Sequence, residues 1–264
     1  MRNLSVLYHD VLSTTNPAPS GFPSPDAGAY KLSDAQFSAH LDRIGAVVSA
    51  SPAVATDLLR GDAQRRAGEA WMLHFDDGGS SALHVISPLL LARGWRGHFH
   101  VPTDFIGQAG FLSRDELRAL RAAGHVVGSH SCSHPPRISS LGDAELLDEW
   151  RRSRDVLSET LGEDVVVASV PGGFYSERVA RAAARAGIRV LFNSEPTTSF
   201  GHVDGCLILG RYSIMRQTAA ETAAAIVGGR LSPRCRQYLY WNGKKVAKML
   251  AGPLYARIRK SMLK

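Results

Sequence analysis

The sequence from residue 71 to residue 78 reads WMLHFDDG, a mostly apolar run that ends in two carboxylates and a glycine. The apolar part predicts a buried strand over Trp71–Phe75, with the carboxylates at its carboxyl end. Two other polar motifs, HSCSHP and PGGFY, follow apolar runs at residues 125–129 and 165–170 in the same way. Because the carboxyl ends of parallel strands lie on one face of an α/β domain, the three motifs are predicted to meet around one point. Their carboxylates and imidazoles indicate a metal hydrolase.

Predicted strands and helices alternate along most of the chain. The helix patterns begin near capping residues, and glycines separate them from the next apolar runs. Helical connections between strands imply parallel pairing with right-handed crossovers, so the fold class is α/β, either barrel-like or doubly wound. The further predicted elements are strands over residues 4–8, 98–101, 188–192 and 206–209, and helices that begin after Ser33 and Ser113 or span residues 143–161, 176–186 and 218–227.

Length and composition indicate one large α/β domain, since 264 residues with 44% hydrophobic and 21% charged side chains are typical of a globular protein. The formal net charge of +7 is unevenly placed, because ten of the 31 Lys and Arg residues lie from Arg230 onward. Such a basic tail fits an anionic membrane surface, a glycan or a protein partner as well as it fits nucleic acid, and it also fits a plain solvated surface. We expect no nucleic-acid partner.

Cysteine usage and hydropathy predict the compartment. Cys132, Cys206 and Cys235 are an odd number without CxxC spacing, which favours a reducing environment over a disulfide framework. His9 and Asp10 interrupt the first apolar run, so no signal peptide is predicted. No apolar run approaches about 18 residues, the length of a membrane span. The predicted location is therefore cytoplasmic, or membrane-peripheral through the basic tail.

The first two motifs contain the ligand types of a divalent metal. Asp76 and Asp77 point to opposite sides of an extended chain, so one can bind an ion while the other meets water or substrate. His130 and His134 stand four residues apart, and one turn at a strand end can direct both rings to the same ion. Two imidazoles and one carboxylate leave an open coordination position, as in catalytic zinc sites, although other first-row divalent ions also fit. Taken alone, the carboxylate pair also fits a helix cap, and the two histidines also fit an incidental pair in a Ser-rich loop.

The third motif offers main-chain hydrogen-bond donors. Pro171 ends the apolar run, and the N–H groups at Gly172 and Gly173 can approach a ligand closely and stabilise an oxyanion. Tyr175 completes the motif as a candidate substrate contact. An ordinary turn is the more common meaning of a lone Pro-Gly-Gly sequence.

In this order and spacing, the motifs resemble those of the polysaccharide deacetylase family, also called the NodB-homology domain or carbohydrate esterase family four. Residues 75–78 match the first motif, residues 130–134 the second and residues 170–173 a variant of the third. The His9-Asp10 pair looks like the Tyr-His-Asp opening that is frequent in bacterial members. The resemblance covers roughly residues 4–212, and it implies a distorted (β/α) barrel that removes an acetyl group from an N-acetylated sugar.

The resemblance also implies domain limits and residue roles. A catalytic domain would cover residues 1–212, with its core at residues 71–193, and a helical, basic extension would cover residues 213–264. Asp76 resembles the general base that deprotonates the attacking water, and the main chain after Pro171 would stabilise the oxyanion. The residues that resemble ligands of the divalent metal, for which zinc fits, are Asp77, His130 and His134.

The chain departs from the family pattern at two places. The family's third motif usually begins with an Arg that pairs with the base, but Ser169 stands there, and Arg211 is the candidate replacement. The late Leu-x-His motif that supplies the general acid is missing. His202, in a Gly-rich loop, is the leading candidate for this acid. The alternatives are His100, His74 and Glu195.

The leading hypothesis is therefore a metal-dependent deacetylase of an N-acetylated sugar in glycan, exopolysaccharide or lipid-linked oligosaccharide biosynthesis. Its expected partners are a carbohydrate or lipid-linked sugar substrate and an anionic membrane surface. One alternative is hydrolysis of another carbon–nitrogen bond, such as that of a cyclic amide. The other is a catalytically degenerate carbohydrate-binding protein, against which the intact carboxylates and imidazoles of the first two motifs argue.

Overall fold

The structure is a computed structural model, and it describes residues 4–15, 18–59 and 71–243. Nine strands of these residues form one sheet in the order β11-β1-β4-β5-β6-β7-β8-β10-β9, and β2 pairs separately with β3. The strands are β1 (Leu4–Tyr8), β2 (Val11–Leu12), β3 (Leu32–Ser33), β4 (Trp71–Phe75), β5 (His98–Val101), β6 (Val126–Ser129), β7 (Val167–Ser169), β8 (Val190–Phe192), β9 (Phe200–Val203), β10 (Cys206–Leu209) and β11 (Tyr212–Ser213).

Helices connect most of these strands. Ser33 and Ser113 each accept a hydrogen bond from a main-chain N–H three residues later, and Gln36 and Glu116 return one, so two predicted capping boxes are present. Residues 231–243 form a final helical segment. The helices are α1 (Pro25–Gly28), α2 (Asp34–Gly45), α3 (Ala55–Leu59), α4 (Ser87–Leu91), α5 (Arg114–Ala122), α6 (Asp143–Leu161), α7 (Glu177–Arg185) and α8 (Ala220–Val227). In the part of the chain that the structure describes, no helix has both the length and the apolar character needed to cross a bilayer.

The main sheet curls until its two ends are joined by the chain itself. Its neighbouring strands are parallel except at the antiparallel β9–β10 pair. β10 ends at Leu209 on one side of the sheet order, and β11 begins only three residues later beyond β1 on the other side. Gly210 and Arg211 therefore span the opening between the two ends. The predicted distorted (β/α) barrel is confirmed.

The barrel strands bury side chains on both faces, as parallel strands covered by helices do. Every residue of β4 and β5 is buried. Along β4, Trp71, Leu73 and Phe75 pack outward in the cluster that contains residues of α2, whereas Met72 packs in the cluster with β7, β8 and β10. Continuing this alternation, His74 and then Asp76 lie on the inward face. Asp76 therefore lies at the carboxyl end of β4, in line with the side chains that fill the interior of the barrel.

The predicted limit between residues 212 and 213 lies inside β11, which pairs with β1 through Tyr212 and Ser213. Ile214 is completely buried, and α8 packs against α2. We therefore propose that the folded domain continues through α8 and that the basic extension begins after residue 229. The predicted helical character of residues 244–264 falls outside the described residues.

Candidate active site

Three ligand atoms converge at the carboxyl ends of β4 and β6. Asp77 lies two residues beyond β4, and His130 directly follows β6. The Nε2 atoms of His130 and His134 each lie 3.5 Å from Oδ1 of Asp77. One ligand atom from each of the three residues falls within 4.8 Å of the others, so these side chains can hold one metal ion together.

The main chain takes sterically costly conformations to direct these side chains. Asp77, Ser131 and His134 have φ angles of 76°, 63° and 51°, in the left-handed region that residues with a Cβ rarely adopt. The carboxylate of Glu149, from α6, accepts hydrogen bonds from the N–H groups of Cys132 and Ser133 at 2.9 and 3.0 Å. This support from a helix holds the tight turn in which two histidines four residues apart face the same point.

The ring of His130 is oriented by its second nitrogen. Its Nδ1 lies 3.1 Å from the main-chain oxygen of Ser169, the last residue of β7. A carbonyl oxygen can only accept a hydrogen bond, so Nδ1 carries a proton, and a neutral ring keeps its lone pair on Nε2, the atom that faces Asp77. This is the tautomer that a metal ligand requires.

Asp76 is paired with the arginine that closes the barrel. Nη1 and Nη2 of Arg211 donate to the two carboxylate oxygens of Asp76 at 2.8 Å each, and Nε donates to the carbonyl of Asn193 at 3.0 Å. Arg211 is completely buried. Burial would raise the pKa of Asp76, but the Arg211 guanidinium and the neighbouring histidines outweigh it and hold that pKa far below its usual range. The carboxylate is therefore held in its ionised form.

The ligand group brings one carboxylate together with two imidazoles. Burial would raise the pKa of Asp77, but hydrogen bonds from His130 and His134 outweigh it and hold that pKa well below its usual range. Burial would lower the pKa of His130, yet the carboxylates of Asp76 and Asp77 raise it. The set of one carboxylate and two imidazoles fits a divalent cation, which can occupy the place of the shared protons.

The third predicted motif forms a tight turn after β7. Gly172 and Gly173 have φ angles of 59° and 69°. A Cβ at Gly173 would lie 3.0 Å from the ring of Trp241 and 3.1 Å from Cβ of Ser194, so only glycine fits there. Tyr175 is half-buried against the cluster that includes residues of α6 and α7. The predicted oxyanion and substrate roles of Gly172, Gly173 and Tyr175 stay predictions.

The structure does not bring His202 to this group. His202 is exposed on β9, an antiparallel edge strand. In the β9–β10 pair it lies opposite Leu207, two residues before the end of β10. Its ring contacts that of Phe200. This placement lends no support to His202 as the general acid, and that role stays a prediction. The alternatives His74 and His100 are completely buried inside the barrel and hydrogen bond to each other at 3.2 Å.

His9 is a site residue that the sequence reasoning did not select. It directly follows β1, whose last carbonyl, that of Tyr8, accepts a hydrogen bond from the N–H of Asp76 at 3.2 Å. His9 contributes electrostatically to the lowered pKa of Asp77, and its ring centroid lies 4.7 Å from that of Tyr30. The signal was available, because the His9-Asp10 pair also follows a predicted strand.

Comparison with known proteins agrees with this geometry. The family model described as Polysaccharide deacetylase matches residues 63–191 and confirms the predicted resemblance. YxkH of Bacillus subtilis (strain 168) is 22% identical over 125 residues, which are 47% of this chain and 44% of YxkH, so the match spans less than half of that relative.

Solved structures share the fold. The Streptococcus pyogenes deacetylase PplD in complex with acetate superposes with a TM-score of 0.68 and 19% identity over 84% of this chain and 96% of PplD. IcaB from Ammonifex degensii gives a TM-score of 0.65 and 20% identity over 86% of this chain and 97% of IcaB. BC0361, a polysaccharide deacetylase from Bacillus cereus, gives a TM-score of 0.70 and 17% identity over 86% of this chain and 69% of BC0361. At these identities the likeness establishes the barrel.

Proposed function

We propose, on the premise that this chain contains a polysaccharide deacetylase domain, that it is a metal-dependent hydrolase that removes the acetyl group from an N-acetylated sugar. The observation that supports this most strongly is the meeting of Asp77, His130 and His134 beside the ionised Asp76. Metal ligands next to a separate, charge-paired carboxylate are the parts that hydrolysis of an amide needs.

Asp77, His130 and His134 would hold the ion, and zinc is the ion we propose. When bound, a divalent cation lowers the pKa of a water molecule and polarises the acetyl carbonyl. His130 is oriented for this role by the carbonyl of Ser169. Asp77 and His134 are oriented by the left-handed main-chain conformations at their positions.

Asp76 would accept the proton of the attacking water. The two hydrogen bonds from Arg211 fix the plane of its carboxylate and keep it charged, so the accepting form is present throughout the physiological pH range. Arg211 would take the place of the arginine with which the family's third motif usually begins, where this chain has Ser169. It reaches the site because the chain between β10 and β11 crosses the open side of the barrel.

His9 would donate the proton that the leaving amine requires. It stands at the carboxyl end of β1, next to the strand that carries Asp76, and its Nδ1 has no hydrogen-bond partner among the described residues. The amide N–H groups after Pro171 would face the negative charge that develops on the acetyl oxygen. Asp76 takes one proton from the attacking water and His9 gives one to the leaving amine, so the free amine and acetic acid leave, and exchange with solvent then removes the proton from Asp76 and returns one to His9.

The aromatic wall beside His134 supports a carbohydrate substrate. The ring of Phe22 lies 4.8 Å from that of His134 and contacts Phe105 and Phe111 at 4.8 and 5.2 Å. All three phenylalanines are only half-buried, so their rings offer an apolar surface at the rim of a polar site. Apolar faces of sugar rings and an acetyl methyl group suit such a surface.

An acetate-release assay tests the proposed function and separates it from the two alternatives. The zinc-loaded protein and its Asp76→Asn variant would be offered N-acetylated sugar oligomers, a glycan polymer and cyclic amides. We expect acetate from the sugars with the wild type and none above background with the variant. Ring opening of cyclic amides without acetate release would favour the other carbon–nitrogen hydrolase. Sugar binding without any turnover would favour the degenerate carbohydrate-binding protein.

We also propose that the protein works at an anionic membrane surface on the cytoplasmic side, where lipid-linked sugars of glycan or exopolysaccharide biosynthesis lie. No acidic residue follows Glu221, whereas ten Lys and Arg residues do. The helical segment over residues 231–243 exposes apolar side chains, with Leu231 and Leu239 67% and 69% exposed. Basic and apolar groups together are typical of interfacial binding.

Vesicle co-sedimentation at physiological salt tests this location. We expect the full chain to bind vesicles that contain phosphatidylserine and to ignore neutral phosphatidylcholine vesicles. The triple substitution K244E, K245E and K248E should weaken binding by more than tenfold, because each basic residue near such a surface contributes about 1 kcal/mol. Equal binding of the wild type to both kinds of vesicle, or binding to neither, would exclude an anionic membrane surface as a specific partner.

A further inference from the structure

We propose that the side chain of Ser169 is a positioning residue that couples the metal ligand His130 to the base Asp76. Its hydroxyl oxygen lies 2.6 Å from Nδ1 of His130 and 3.1 Å from Oδ1 of Asp76. Ser169 is completely buried, so no bulk water competes for either contact. This inference rests on the proposed function, and it assigns a role to the position at which the chain departs from its relatives.

The hydrogen atoms of this contact can be assigned. A hydroxyl carries one hydrogen, and an ionised carboxylate can only accept, so the hydroxyl donates to Asp76. The hydroxyl oxygen must then accept the hydrogen on Nδ1 of His130. The Ser169 side chain and its own carbonyl therefore both require the Nδ1–H tautomer, and they leave Nε2 free for an ion.

The position of Arg211 explains why a small residue stands here. Asp76 already receives two hydrogen bonds from Arg211, and its Oδ2 lies 3.8 Å from Nε2 of His130. A long side chain at the end of β7 would have to enter the space between the base and the ligand. A serine fills that space and supplies the one donor that Oδ1 can still accept. The arginine from the barrel closure and the serine on β7 are thus two parts of one arrangement.

Metal affinity tests this role without relying on turnover. Apo-protein would be titrated with Zn²⁺ against a chelator, and with Co²⁺ while the visible spectrum is recorded. We expect Ser169→Ala to weaken zinc binding by about 10-fold or more and to change the Co²⁺ spectrum, because loss of an outer-shell partner typically costs about 10- to 100-fold. Ser169→Thr keeps the hydroxyl and should retain zinc affinity within about threefold of the wild type.

Ser87→Ala is the matched control. Oγ of Ser87 lies 2.9 Å from Nε2 of His125, so this variant also removes a buried serine–histidine contact, but at the opposite end of β6. We expect it to lower the melting temperature about as much as Ser169→Ala does and to leave zinc affinity unchanged. If Ser169→Ala does not fold, Ser169→Cys gives the same comparison, because a thiol is a weak donor of similar size.

The outcomes separate this inference from the proposed function. Zinc affinity and a Co²⁺ spectrum in Ser169→Ala equal to those of the wild type would overturn the role of Ser169 and leave the metal site standing. Equal losses of zinc affinity in Ser169→Ala and Ser87→Ala would reduce the effect to general destabilisation and also overturn it. Failure of the wild type itself to bind either ion would remove the metal site, and the inference with it.

Discussion

Two layers of histidine lie inside the same barrel and behave in opposite ways. The lower one, which we call the histidine layer, consists of His74, His98 and His100, all completely buried. The upper one contains His130, equally buried, at the strand ends. Burial lowers the pKa of every residue in the histidine layer, to about 4 for His98, whereas the pKa of His130 is raised. Burial alone therefore does not decide the charge of a histidine in this protein.

The neighbours of each layer explain the difference. In the histidine layer, ring centroids of His74 and His98 stack at 4.3 Å, and Phe192 packs against both. His98 donates from Nδ1 to the carbonyl of Leu73 and accepts from the N–H of Ala55. These partners hold neutral rings in place. His130 instead faces two carboxylates, which favour its charged form or a cation beside it.

Loss of a ligand in the upper layer should have the largest effect. We expect His134→Ala to weaken zinc binding by more than about 100-fold, beyond the usual effect of an outer-shell partner, and to abolish acetate release. The ring of His134 is partly exposed, so the fold should persist, as circular dichroism can show. His202→Ala is the matched control on the edge strand and should change neither quantity. A loss of acetate release in His202→Ala with zinc binding intact would restore His202 as the acid.

Substitution of the base should separate chemistry from metal binding. We expect Asp76→Asn to lower kcat by about 10²- to 10⁴-fold, the usual contribution of a general base, while one zinc ion per chain remains bound. A lower melting temperature should accompany this change, because Arg211 loses its buried counter-charge. Steady-state kinetics and metal analysis of the same preparation check both points. An apo-protein after Asp76→Asn would mean that this carboxylate is itself a ligand.

The histidine layer should instead control stability in acid. Unfolded histidine takes up a proton below about pH 6.5, but His98 in the folded protein does so only at a pKa of about 4. Its contribution is therefore complete above pH 6.5, is lost as the pH falls toward 4, and amounts to about 3 kcal/mol. Urea unfolding at pH 7 and pH 4.5 should show a smaller loss for His98→Gln than for the wild type. The exposed His84→Gln serves as control, and an unchanged loss in His98→Gln would contradict the neutral histidine layer.

Most of the fold could be predicted from local sequence signals. Strands such as Trp71–Phe75 and Cys206–Leu209 and the helix Asp143–Leu161 have the predicted bounds. Serine caps and glycines after helices are local features, so the sequence contains them directly. We propose a domain limit beyond residue 212, because β11, a strand of only two residues, pairs with β1, more than 200 positions away. No local sequence pattern predicts a strand of this length.

The site was predictable where its residues lie in motifs that follow clear strands, and less so where it depends on how distant parts of the chain meet. Asp77, His130 and His134 lie in two motifs that follow clear strands, and the structure brings them together. The pairing of Arg211 with Asp76 could be suggested but depends on how the barrel closes. His202 lies apart from the ligands because β9 turns back along the sheet edge, which the sequence did not predict. The contacts of Ser169 with the base Asp76 and with the ligand His130 depend on the register of β7, which the sequence does not predict.

The most direct test of the central claim is anomalous diffraction at the zinc edge from crystals of the protein grown with zinc. We expect one ion, bonded to the Asp77 carboxylate and to Nε2 of His130 and of His134 at about 2.0–2.2 Å, with Asp76 held by Arg211 outside the ligand set. An ion held by the histidine layer, or bonded to Asp76 in place of Asp77, would contradict the account.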